Sequence, residues 1–94
     1  MTLIIDLSIL CDTPGNRYVY TTVRKEFETN LVPMVGMDIA DYAWKKSRQI
    51  QSVTINPSEG CYYVYVGDEV GKDEGRCEQL VEMYRSQGWK SLRG

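Results

Sequence analysis

Met1-Thr-Leu-Ile-Ile-Asp-Leu-Ser-Ile-Leu-Cys-Asp-Thr-Pro-Gly-Asn16 opens the chain and sets its architecture. Leu3, Ile5, Leu7 and Ile9 fall at every second position with Asp6 and Ser8 between them, which is the period of a strand with one buried face. Asp12-Thr-Pro-Gly-Asn16 then supplies turn chemistry: proline presets its own φ, glycine accepts positive φ, and the short polar side chains bond locally. From Tyr18 to Glu28 the alternation resumes, with Val19, Thr21 and Val23 on one side and Tyr18, Tyr20 and Thr22 on the other. The two segments predict a β-hairpin.

Working outward, Leu31-Val-Pro-Met-Val-Gly36 breaks the pattern, because proline removes a ladder donor and glycine punctuates strands. It reads as a crossing loop packed down by its own apolar residues. Residues 38–46 fit either one or two helical turns or an extended stretch. Gln49 to Ile55 reads as a strand with Val53 and Ile55 inward, Asn56-Pro-Ser-Glu-Gly60 as a hairpin turn, and Tyr62 to Val66 as the return strand. Asp68-Glu-Val-Gly-Lys-Asp-Glu-Gly75 is polar and glycine-punctuated, hence a loop. Arg76 to Gln87 predicts a helix, since Cys77, Leu80, Val81 and Tyr84 share one face. Gly88 suits its left-handed cap, and Trp89 suits the residue that folds back on the last turn. The expectation is one α+β domain over residues 1–94: a small antiparallel β-barrel or curved sheet of four to five strands with a C-terminal α-helix.

The composition sorts function classes. The 94 residues contain no histidine, the side chain best suited to acid/base work near neutrality and the commonest metal ligand. Cys11, Cys61 and Cys77 are odd in number and widely spaced, so they suggest neither a disulfide framework nor a zinc site. No cofactor or metal is implied. A net charge of −2 disfavours nonspecific nucleic-acid binding, which needs many cations meeting phosphates. No apolar run is long enough to span a bilayer, and Asp6 in the first segment argues for a strand and against a signal peptide. The expected setting is cytoplasmic, with no membrane partner.

Phe27-Glu-Thr-Asn-Leu-Val-Pro-Met-Val-Gly-Met-Asp-Ile39 resembles a segment of small, mostly uncharacterised bacterial and phage proteins. These carry an aromatic residue, then Val-Pro-x-x-Gly-Asp and an aliphatic, then two paired strands. Phe27, Val32, Pro33, Gly36, Asp38 and Ile39 take those positions, and Met37 departs from the pattern by separating Gly36 from Asp38. The resemblance implies a small β-barrel of the Src-homology-like kind and concerns scaffold residues in the middle third of the chain. It supplies no catalytic residue.

The candidate surface is aromatic and acidic. If Val19, Val23, Val64 and Val66 face inward, Tyr18, Tyr20, Tyr63 and Tyr65 share the opposite face while Tyr62 and Tyr84 join the core. Those tyrosines either pack beneath the helix, form a recognition surface, or stack on bases. Between Glu59 and Glu82 there are seven acids against two cations, Lys72 and Arg76. Asp68, Glu69, Asp73 and Glu74 lie there, in what is either a solvated loop or a dock for a protein partner with a basic surface. Their spacing does not reproduce a calcium loop. Lys45, Lys46 and Arg48 form a small basic knot, and Trp44 and Trp89 suit core or rim anchors. The preferred expectation is a non-enzymatic interaction protein that binds through the tyrosines and the acidic loop, in the manner of a phage or mobile-element inhibitor of a host defence or toxin protein. The alternatives are a nucleic-acid-binding small β-barrel, a small enzyme without histidine chemistry, and self-association as a homodimer through an exposed strand edge.

Overall fold

A computed structural model describes residues 1–92. Strands β1 (Thr2–Thr13) and β2 (Asn16–Glu28) form the expected antiparallel hairpin. Pro14 and Gly15 make its turn, and Gly15 has the φ of +82° that a Pro-Gly type II turn requires at its second central residue. Two short strands follow, β3 (Asp38–Ile39) and β4 (Arg48–Gln49), paired antiparallel. Next come the hairpin strands β5 (Ser52–Asn56) and β6 (Cys61–Tyr65), then β7 (Glu69–Gly71), helix α1 (Glu74–Ser86) and β8 (Lys90–Ser91). The main sheet has six strands in the order β5-β6-β1-β2-β8, with β7 also on β1.

The fold is α+β with one helix after the long strands, but the sheet is mixed and not antiparallel. β6 runs parallel to β1, setting Thr2 to Ile5 beside Cys61 to Val64, and β7 runs parallel to it farther along, setting Ile9 to Cys11 beside Glu69 to Gly71. Alternation encodes which face a side chain takes and says nothing about a neighbour's direction, so sequence period could not distinguish the two arrangements. Among the described residues no pairing joins β5 to β8, so no closed barrel is formed. The segment read as a polar loop contains β7. The ambiguous residues 38–46 hold β3 and then turns, without a helix.

One side of the sheet carries the core. Leu3, Ile5, Leu7, Ile9 and Cys11 of β1, Val23 of β2 and Val64 of β6 are buried against Cys77, Leu80, Val81 and Tyr84 of the helix. The helix begins two residues earlier than its apolar period indicated, because the Asp73 carboxylate accepts the Arg76 N–H at 2.8 Å and caps it. It ends as expected. Gly88, at φ +90°, donates to the Arg85 carbonyl, and the Trp89 N–H reaches the Tyr84 carbonyl at 3.1 Å, the paired bonds of a Schellman motif. Trp89 is buried edge-on against Tyr84, with ring centroids 5.1 Å apart.

A bulge inverts the expected phase of β2. Ile9 pairs with Thr21 and Leu10 with Val19, so the register shifts by one residue in a bulge at Tyr20. Thr21 and Val23 keep their inward places, but beyond the bulge Tyr18 turns toward the helix and Val19 turns out, 57% exposed. Ile55 is corrected too. It lies on the core side of its strand, beside Tyr62, yet it is exposed.

Candidate functional site

The four tyrosines do not share a surface. Tyr18 and Tyr20 lie under α1, where their hydroxyls donate to Glu74 at 2.7 Å and Glu78 at 2.5 Å, carboxylates one helical turn apart. Hydrogen bonding with Cys11 and then Glu74 raises the Tyr18 pKa above the ordinary phenol value. Tyr63 and Tyr65 stand on the opposite, uncovered face. There Tyr63 flanks Ile4, with the Arg24 guanidinium 5.9 Å from its ring, while Arg24 grips Asp6 through bonds of 2.7 and 2.9 Å. The Tyr65 hydroxyl donates to Asp68, which raises its pKa.

The acids are likewise engaged within the fold. Glu69 is ion-paired to Arg48, and the Asp68 carbonyl accepts from the same guanidinium. Asp73 caps the helix, and Glu74 holds Tyr18. Arg48 also lies over the Trp44 ring, 5.3 Å from its centre, which removes it from the basic knot and leaves Lys45 and Lys46 exposed.

The densest polar cluster joins the 38–47 segment to the end of the helix. Lys25 Nζ donates to Asp41 at 2.6 Å and to the Gln87 carbonyl at 3.0 Å, while the Trp89 indole and the Ala43 N–H donate to the other Asp41 oxygen. Burial would raise the Asp41 pKa, but these donors outweigh it and hold the carboxyl below its ordinary value. Trp44 donates to the Tyr84 hydroxyl at 2.8 Å, and burial pushes that phenol up to about 12. Every one of these groups is spent on a neighbour, which is the chemistry of a fastener. Burial also pushes the Cys77 thiol up to about 11, so at neutral pH it is protonated and a poor nucleophile. Among the described residues no three His, Cys, Asp or Glu side chains gather as metal ligands.

The crossing loop also departs from what its sequence suggests. Its apolar residues do not pack down: Leu31 is 72% exposed, Val32 61%, Met34 61% and Val35 65%, while Pro33 alone is buried. The backbone beneath them is nonetheless tied. Gly36 donates to the Ile50 carbonyl at 2.9 Å, Ile50 to Met37 at 2.8 Å, and Met37 to Met34 at 3.1 Å. Between this loop and the sheet runs a groove of about 250 Å³ lined mainly by Leu3, Phe27, Leu31, Val32, Pro33 and Met37. Strand register continues it as an apolar row, Phe27 beside Leu3 beside Tyr62 beside Ile55. The available signal was four large apolar residues within six positions about a proline and a glycine, too short a span to bury them on one another. Compared with protein families, curated proteins and solved structures, the chain matches none.

Proposed function

We propose that this chain acts by binding a protein partner, without catalysis, and that the partner sits on the Leu31–Met37 loop and the groove behind it. The exposure of Leu31, Val32, Met34 and Val35 on a hydrogen-bonded loop carries the reading. Contiguous apolar side chains held toward water on a fixed backbone are characteristic of docking surfaces, and completing the burial of each is worth about 1–2 kcal/mol. Exposed Asp38 lines the groove, so the complementary partner offers an apolar ridge with a basic group beside it. This moves the expected interface away from Tyr18, Tyr20 and the acidic loop, whose polar groups serve the fold. Base stacking has less support, because Lys45 and Lys46 border a cleft with Leu80 and Met83 of the helix while Tyr63 and Tyr65 lie on the uncovered side of the sheet. The narrower role of a phage or mobile-element inhibitor rests on chain length and the sequence resemblance alone.

The test is affinity capture with the immobilised chain, followed by titration of whatever is retained. Leu31→Ser with Val35→Ser should weaken that binding roughly 10- to 100-fold, the loss expected from two interface anchors. Tyr63→Ala should change it little. Equal binding by the loop variant, or no retained protein at all, sinks this reading.

A further inference from the structure

The β8 and β5 edges of the main sheet are protected very differently. On the β8 side, the strand is two residues long and carries Lys90, and the remainder of β2 presents Arg17, Glu26 and Glu28. On the β5 side, Gln51-Ser-Val-Thr-Ile-Asn56 contains no charge and no proline, the devices that normally keep an edge from pairing.

The backbone of β5 shows which groups are left open. Asn56 pairs with Cys61 across the turn, and Pro57 has no N–H with which to flank that pair, so Asn56 and Cys61 must be the hydrogen-bonded kind. By alternation Ser52 and Thr54 also direct their N–H and C=O groups toward β6. Val53 and Ile55 direct theirs outward, where among the described residues the sheet has no further strand.

That pattern is self-complementary. We infer that β5 pairs antiparallel with β5 of a second copy of this chain about a twofold axis at Thr54, joining two sheets into one. In this register Val53 meets Ile55 of the other copy and Ile55 meets its Val53, which uses all the outward backbone groups of both residues. Thr54 faces Thr54 across the axis, a pairing that suits hydroxyl contact, and Ser52 faces Asn56. The β-branched pair falls on the core side, where Ile55 is 55% exposed, and no like charges oppose one another. A shift of two residues along the partner toward the turn would bring Pro57 into the ladder. The interface is separate from the Leu31–Met37 loop and does not depend on it.

Sedimentation equilibrium of the full chain should show a dimer at concentrations up to about 1 mM, the range of even a weak interface. Thr54→Glu should make it a monomer with an unchanged circular dichroism spectrum, since Thr54 is exposed and the new carboxylates would oppose each other at the axis. Thr54→Cys should form a disulfide-linked dimer under mild oxidation, because directly opposed residues of a non-hydrogen-bonded pair lie about 4.5 Å apart. Ser52→Cys should not cross-link with itself. A wild-type chain that stays monomeric, a dimer dissolved by Leu31→Ser with Val35→Ser but untouched by Thr54→Glu, or cross-linking of Ser52→Cys in place of Thr54→Cys would each overturn the inference. If Thr54→Glu fails to fold, the two cysteine variants decide.

Discussion

Gly71 shows how tightly single positions are specified. It pairs with Cys11 on β1 and lies beneath the first turn of α1, where a Cβ would come 2.5 Å from Cys77 Sγ and 3.0 Å from its backbone nitrogen. Gly71→Ala should therefore destabilise the fold by about 1–3 kcal/mol through overpacking, measurable by denaturant unfolding. Cys77→Ala removes the sulfur, so the double variant should lose less than the two single losses added together; strict additivity would show that the sulfur is not the obstacle. Tyr20 makes the complementary point. Strand alternation alone would aim its hydroxyl at a partner, yet the bulge in the β1–β2 ladder turns it toward Glu78. A bulge leaves no mark in an alternating pattern of tyrosine and valine, because both residue types suit either face of a strand.

At the level of elements, what could be read from sequence was what local chemistry determines. The Pro14-Gly15 turn, the inward run from Leu3 to Ile9, the apolar face of α1 and the Gly88-Trp89 cap all follow from short-range spacing and appear where expected. Three things did not follow. The parallel placement of β6 and β7 depends on contacts about 60 residues apart in the chain, the bulge depends on ladder geometry, and the exposure of Leu31 to Val35 depends on what the rest of the fold leaves uncovered. Asp73 lies between these cases. Its place among the acids of residues 68–75 suggests a docking loop, and it caps the helix instead. Asp73→Ala should cost about 1 kcal/mol and Asp73→Asn only a few tenths, because asparagine caps nearly as well without charge. Equal losses in thermal or urea unfolding would show that the charge matters and the cap does not.

For the molecule as a whole, the Lys25–Asp41–Trp89 cluster fastens the irregular 38–47 segment to the end of the helix, with the Asp41 side chain only 10% exposed. Its carboxyl has a folded pKa below the unfolded value, so the unfolded chain takes up the proton first as pH falls. The stabilisation is complete above the unfolded pKa of about 3.9 and is lost as pH drops through the folded one. Asp41→Asn should lower stability at neutral pH by about 2–3 kcal/mol, less than a fully buried pair because Lys25 keeps some water. It should also flatten the acid limb of the stability curve; an unchanged limb in urea titrations at several pH values would assign the acid sensitivity elsewhere. The placement of β1 carries a consequence in time. It is the central strand and precedes every partner, yet only β2 follows it closely; β6, β7 and α1 come after a long delay. During synthesis, at about 5–20 residues per second, the hairpin stands for several seconds with Leu7, Ile9 and Val23 bare before the helix that covers them exists. In that interval the nascent hairpin is the form of this protein most in need of a chaperone.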